Sequence, residues 1–157
     1  MIKPIERAYH LLIAAACSLQ SPFLLAVRLY WGWQFAQTGW GKLSDLDKVT
    51  GFFTRLNIPA PALNAHFVSL LEFAGGVMLA AGLGSRLIAL LLAGDMLVAY
   101  LAADREALFS FFSDPDKLYA AAPYTFLFAS LLVLVFGPGR LSIDAVVARR
   151  FRSNTGA

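Results

Sequence analysis

Apolar residues gather into four blocks, residues 22–42, 62–83, 86–103 and 118–136, divided by short connections rich in charge, proline and glycine. Each block approaches the roughly 20 residues a helix needs to cross a bilayer. The pattern predicts an all-α, integral membrane four-helix bundle. In the first connection Phe52, Phe53, Leu56 and Ile58 stand among Asp45, Asp47, Lys48 and Arg55, a mixture that predicts a short helix on the membrane surface. Pro59 and Pro61 end that helix and launch the second span. Gly82-Leu83-Gly84-Ser85-Arg86 reads as a tight turn with a basic anchor. Leu108-Phe109-Ser110-Phe111-Phe112, in an acidic connection, predicts another interfacial helix. Pro123 starts or kinks the fourth span, and Gly137-Pro138-Gly139 stops it.

Before the first span, residues 10–19 form an apolar run too short to cross, preceded by Lys3 and Arg7. Pro22 is expected to divide this run from the span, because proline suits a helix's first turn. The division gives an N-terminal interfacial helix over residues 1–21, a transmembrane domain over 22–144 and a basic cytoplasmic tail over 145–157. The run also resembles the start of a secretory signal, with Ala14-Ala15-Ala16-Cys17 like a lipoprotein cleavage site. Cleavage there would invert the first span against the charge pattern described next.

Composition points the same way. The chain is 59% hydrophobic and only 15% charged, where a soluble domain would be about a quarter charged. The net charge of +3 does not indicate nucleic acid, because the basic residues are scattered or flank the spans. Four crossings put both termini on one side. That side holds Lys3, Arg7, Arg86, Arg140, Arg149, Arg150 and Arg152 against Glu6 and Asp144, whereas the other side is slightly acidic. The bias predicts a multi-pass inner-membrane protein with both termini cytoplasmic. Its first partner is the lipid bilayer.

A single cysteine, Cys17, excludes an internal disulfide, a CxxC pair and a thiolate metal site. His10 and His66 fall towards opposite faces and cannot share a haem or a metal. Redox chemistry in this chain would need a bound cofactor or a partner protein.

Three charged residues interrupt the apolar blocks: Arg28, Glu72 and Asp95. Charge at such depth costs a few kcal/mol, about 2.5–3.5 on insertion scales, unless paired, neutralised or turned to a cavity. At roughly 1.5 Å per residue, Arg28 lies roughly 9 Å and Asp95 roughly 13 Å from the cytoplasmic end, and Glu72 roughly 16 Å deep. Gln34 is level with Glu72, and Gln37 lies further along the same span. An ion pair of Arg28 with Asp95 or with Glu72 is expected, the leftover acid being protonated or bonded to Gln34 or Gln37. The other reading is that these groups only hold the helices in register. Glu72, Gly75, Gly76 and Leu79 share one helix face, which Ser69 and Ala65 extend. The two glycines suit either tight helix packing or a flat ligand. In the ligand reading a quinone head would sit at Glu72, with Gln34, Trp31 and Trp33 as walls.

Four motifs carry a resemblance. Arg28-Leu29 with Gly32-Trp33-Gln34-Phe35 and Gly39-Trp40-Gly41-Lys42-Leu43 resembles the first helix of the DoxX family of small membrane proteins. Phe52-Phe53 through Pro61 resembles that family's first connection, and Glu72-Phe73-Ala74-Gly75-Gly76 with residues 82–86 its second helix and turn. Gly137-Pro138-Gly139-Arg140-Leu141-Ser142-Ile143-Asp144 resembles its closing segment. The resemblance implies four membrane helices and, through relatives linked to thiosulfate:quinone oxidoreductase and to oxidative or thiol stress, redox protein partners. It supplies no catalytic set. The expected role is a membrane subunit or anchor for such partners, with a quinone as the ligand if one is bound. The alternatives are a small proton-coupled or solute-handling protein and a purely structural scaffold. Four helices enclose little volume, which leaves room for a homodimer without assigning its interface.

Overall fold

A computed structural model describes the backbone over residues 2–154 and the side chains over 5–151. The side chains of Lys3 and Arg152, which entered the charge argument, and the end of the tail at 155–157 lie outside what is described. The described backbone is helical without strands: α1 Ile2–Ser44, α2 Leu46–Arg55, α3 Pro61–Ala81, α4 Ser85–Ala103, α5 Arg105–Phe109, α6 Pro115–Ala120, α7 Pro123–Phe136 and α8 Ile143–Asn154.

The expected break at Pro22 is absent. Pro22 lies inside α1, a single helix of 43 residues and about 64 Å. Proline removes one backbone hydrogen bond, and the helix continues through it. Residues 5–20 are all exposed, and burial begins at Leu24.

The surface helix expected in the first connection is α2. Its charged and apolar faces are well separated, and Asp45 caps it by accepting from the Lys48 N–H at 3.2 Å. The acidic connection holds α5. The fourth apolar block is divided. Ala121 is extended, and Pro123 opens α7 at its first turn. At 14 residues, or roughly 21 Å, α7 is shorter than the roughly 30 Å hydrocarbon core. Three helices, α1, α3 and α4, are long and apolar enough to cross a membrane.

These helices close on one another: α1 packs on α3 and α7, and α4 packs on α3 and α7. Phe35, Leu79, Ile88, Leu92, Met96 and Val133 fill the centre. The outward faces are equally apolar, with Leu29, Trp33, Leu63, Phe67, Leu70, Leu87, Leu90 and Val135 all more than half exposed. A helix that is apolar all round suits lipid as its surroundings.

Candidate functional site

The antiparallel contact of α1 with α3 builds the interior. A Cβ added at Gly32 would lie 2.7 Å from the Ala80 backbone nitrogen and from the Gly76 carbonyl oxygen. One at Gly76 would lie 2.5 Å from the Ala36 nitrogen, and one at Gly39 would run into the Phe73 backbone. The two backbones therefore touch, as small residues permit in membranes. The α3 face read from sequence is the buried one: Ala65, Ser69, Glu72, Gly75, Gly76 and Leu79. Gly75 turns to α4, where the Leu92 Cδ2 atom stands 3.2 Å from its notional Cβ.

Glu72 is 2% exposed, and the cation it meets is Lys42. The Lys42 ammonium donates to the Glu72 Oε1 atom at 2.6 Å. Asp95 reaches the same place from α4, close enough for its carboxyl to feel the Glu72 carboxyl and the Lys42 ammonium. Glu72 Oε2 and Asp95 Oδ2 are both buried without a hydrogen-bond partner. Two carboxyls and one ammonium thus meet among α1, α3 and α4. The Lys42 side chain keeps 34% exposure while that of Glu72 keeps 3%, so the cluster opens past the lysine and not past Glu72, and Asp95 is half-buried.

The expected pairing of Arg28 with Asp95 or Glu72 is not formed. Helical side chains lean towards their own N-terminus. On α1 that direction carries Arg28 to the end of the bundle at the α3–α4 turn, and swings Lys42 inward from the other end. Arg28 is fully buried. Its Nη2 donates to the Leu141 carbonyl, its Nη1 lies against Gly82, and Nε and Nη1 have no hydrogen-bond partner. Gly82 must be glycine twice over, for its φ of +73° and because a Cβ would collide with that guanidinium.

Asp144 completes this second cluster. Its carboxylate accepts from the Gly84 N–H at 2.8 Å and the Ser85 N–H at 2.9 Å, capping α4, which has no side-chain cap of its own. Its own N–H donates to the Gly82 carbonyl at 2.9 Å. Burial works to raise the Asp144 carboxyl, but the Ser85 and Gly84 N–H groups and the Arg28 charge outweigh it and hold the group below its ordinary value. Three separated stretches (Arg28, residues 82–85 and residues 141–144) therefore meet at one end.

The remaining expected site residues do not converge on Glu72. Trp31 stacks edge-on against Phe126 of α7, with ring centres 5.2 Å apart. Trp33 is 62% exposed, and Gln37 is exposed as well. The Gln34 amide donates to the Tyr30 hydroxyl at 3.3 Å. With Gly76 filled by α1 and Gly75 by Leu92, the residues named as walls do not form a cradle for a quinone head. Among the described residues no group of three His, Cys, Asp or Glu could hold a metal.

Lys42 is not among the residues singled out from sequence, because a lysine at the end of a span ordinarily serves as an interface anchor. Its spacing carried a signal: Arg28, Gly32, Phe35, Gly39 and Lys42 recur every three or four residues, on one face of α1. Tyr100 was also missed. It is fully buried and donates to the Leu118 carbonyl at 2.8 Å, fastening α4 to α6.

A family model described as DoxX matches residues 23–105. That segment contains Arg28, Lys42, Glu72 and Asp95 and ends before α7. No curated protein and no solved structure matches the chain.

Proposed function

The chain belongs to the DoxX family, whose model matches just over half of its length, and from that premise we propose that it is a membrane subunit or anchor that holds protons for redox-linked partners. The observation that carries this reading is the Lys42–Glu72–Asp95 cluster. One ammonium cannot balance two adjoining carboxylates at low dielectric, so the pair holds one proton between them. Redox reactions of quinones and thiols move protons together with electrons. In this reading the partner carries the electrons, and the cluster takes up and returns the proton, with Lys42 as its route to the surface.

Four crossings with both termini cytoplasmic complete the proposal. The closed packing of α1, α3, α4 and α7 supports it, as does the charge asymmetry.

The test is purification from native membranes in mild detergent. A redox enzyme should travel with the full chain and with the Glu72→Gln variant alike, and its turnover should fall in the variant. Absence of a redox partner, or unaltered turnover with Glu72→Gln, would rule the reading out. A proton-coupled carrier is the second reading, favoured by the cluster's opening past one partly exposed lysine. Solute uptake into vesicles that collapses with Glu72→Gln in the absence of any partner would decide for it.

A further inference from the structure

Beside the Arg28–Asp144 end runs a shallow groove of about 530 Å³. Its floor is apolar, with Leu25, Leu141, Ile143 and Val146, and Arg140 and Arg149 stand in its lining. The charge is deliberately placed. The Arg149 Nη2 donates to the Arg140 carbonyl at 3.0 Å and its Nε to the Ala145 carbonyl at 3.3 Å, which fixes its guanidinium on the groove. The Arg140 backbone N–H is held by the Ser21 hydroxyl at 3.1 Å, while among the described residues its guanidinium has no hydrogen bond or ion pair. Arg28 lies behind the Leu141 carbonyl, its charge set against the Asp144 carboxylate, which leaves Arg140 and Arg149 as the basic charge of the groove. The nearest acid, Asp144, is turned away to the Gly84 and Ser85 N–H groups.

The groove also lies where a membrane boundary must fall. Leu25 and Ala81 belong to spanning helices, whereas α8 is amphipathic, with Ile143, Val146 and Val147 each 42–49% exposed on one side. A helix of this kind lies in the headgroup plane with its apolar side inward. We propose that the groove binds an acidic phospholipid, its acyl chain along the apolar floor and its phosphate between Arg140 and Arg149. The uncompensated basic charge selects an anion, and the apolar floor at the lipid boundary selects an amphiphile.

The test is native mass spectrometry of the full chain from micelles holding equal amounts of phosphatidylcholine and phosphatidylglycerol. Each basic residue near an anionic headgroup contributes enough that two together give a preference of at least about tenfold for phosphatidylglycerol. Arg140→Gln with Arg149→Gln should bring retention close to parity, while Lys at both positions should keep most of the preference. Both side chains are exposed, and an unchanged thermal midpoint in phosphatidylcholine alone will verify that the variants fold. Equal retention of the two lipids by the parent chain would overturn the proposal. So would an undiminished preference in the double Gln variant, or release of the lipid by inorganic phosphate.

Discussion

Arg28 and Lys42 share one face of α1 yet serve opposite ends of the bundle, because a helical side chain leans towards its own N-terminus. Lys42 therefore balances Glu72, and removing it leaves a carboxylate stranded in an apolar interior. Loss of one partner of a buried pair costs about 3–5 kcal/mol. Here the cost is expected to be somewhat lower, since a third of the Lys42 side chain is exposed. Lys42→Met should lower the unfolding free energy in detergent by about 2–4 kcal/mol, and Lys42→Met with Glu72→Met should recover most of it. If the double variant is no better than the single, Lys42 is not Glu72's partner. Sequence alone located the buried carboxylates, because charge inside an apolar block stands out. It could not choose their cation, because Arg28 and Lys42 lie on the same face and only side-chain direction separates them.

At the scale of elements, α1 and α3 are joined by backbone contact. Gly39→Ala places a methyl group against the Phe73 backbone and should cost about 1–3 kcal/mol through overpacking. Gly41→Ala, two residues away, meets nothing within 4 Å and should be neutral or stabilising by up to about 1 kcal/mol through helix propensity. Chemical unfolding of the two variants in one detergent makes the comparison, and equal effects would contradict the packing. The junction of α4 with α8 has a pH signature. The Asp144 carboxyl is held below its ordinary value in the folded chain, so the stability it contributes is full above the unfolded value of about 3.9 and lost as pH falls through the lower folded value. The thermal midpoint should drop on acidification below about pH 4, and the Asp144→Asn variant should lose that part of the drop. The glycine-bearing turns and the start of α7 at Pro123 were legible as punctuation. That Asp144 caps α4 was not, since the two residues that donate to it lie about 60 positions earlier. Pro22 misled in the other direction: proline marks a helix start only where neighbouring structure does not carry the helix through it.

For the whole molecule, lipid replaces water as the surroundings. Apolar side chains cover the outer faces of the long helices, and Arg28, Lys42, Glu72, Asp95 and Asp144 are gathered into two clusters at different depths. The four-block pattern made this class of protein readable from the chain, while the shortness of α7 and the length of α1 depend on where helices break, which periodicity does not fix. The Arg28 cluster ties α1, the α3–α4 turn and α8 together, and the Lys42 cluster sets two acids against one base. The second arrangement is the heart of the functional account, and infrared spectroscopy of the full chain in lipid bilayers at neutral pH tests it most directly. The carbonyl stretch of one neutral carboxylic acid should be present in the parent protein and absent from both Glu72→Gln and Asp95→Asn, where Lys42 balances the acid that remains. A parent spectrum without that band, or a band surviving both substitutions, would contradict the shared proton.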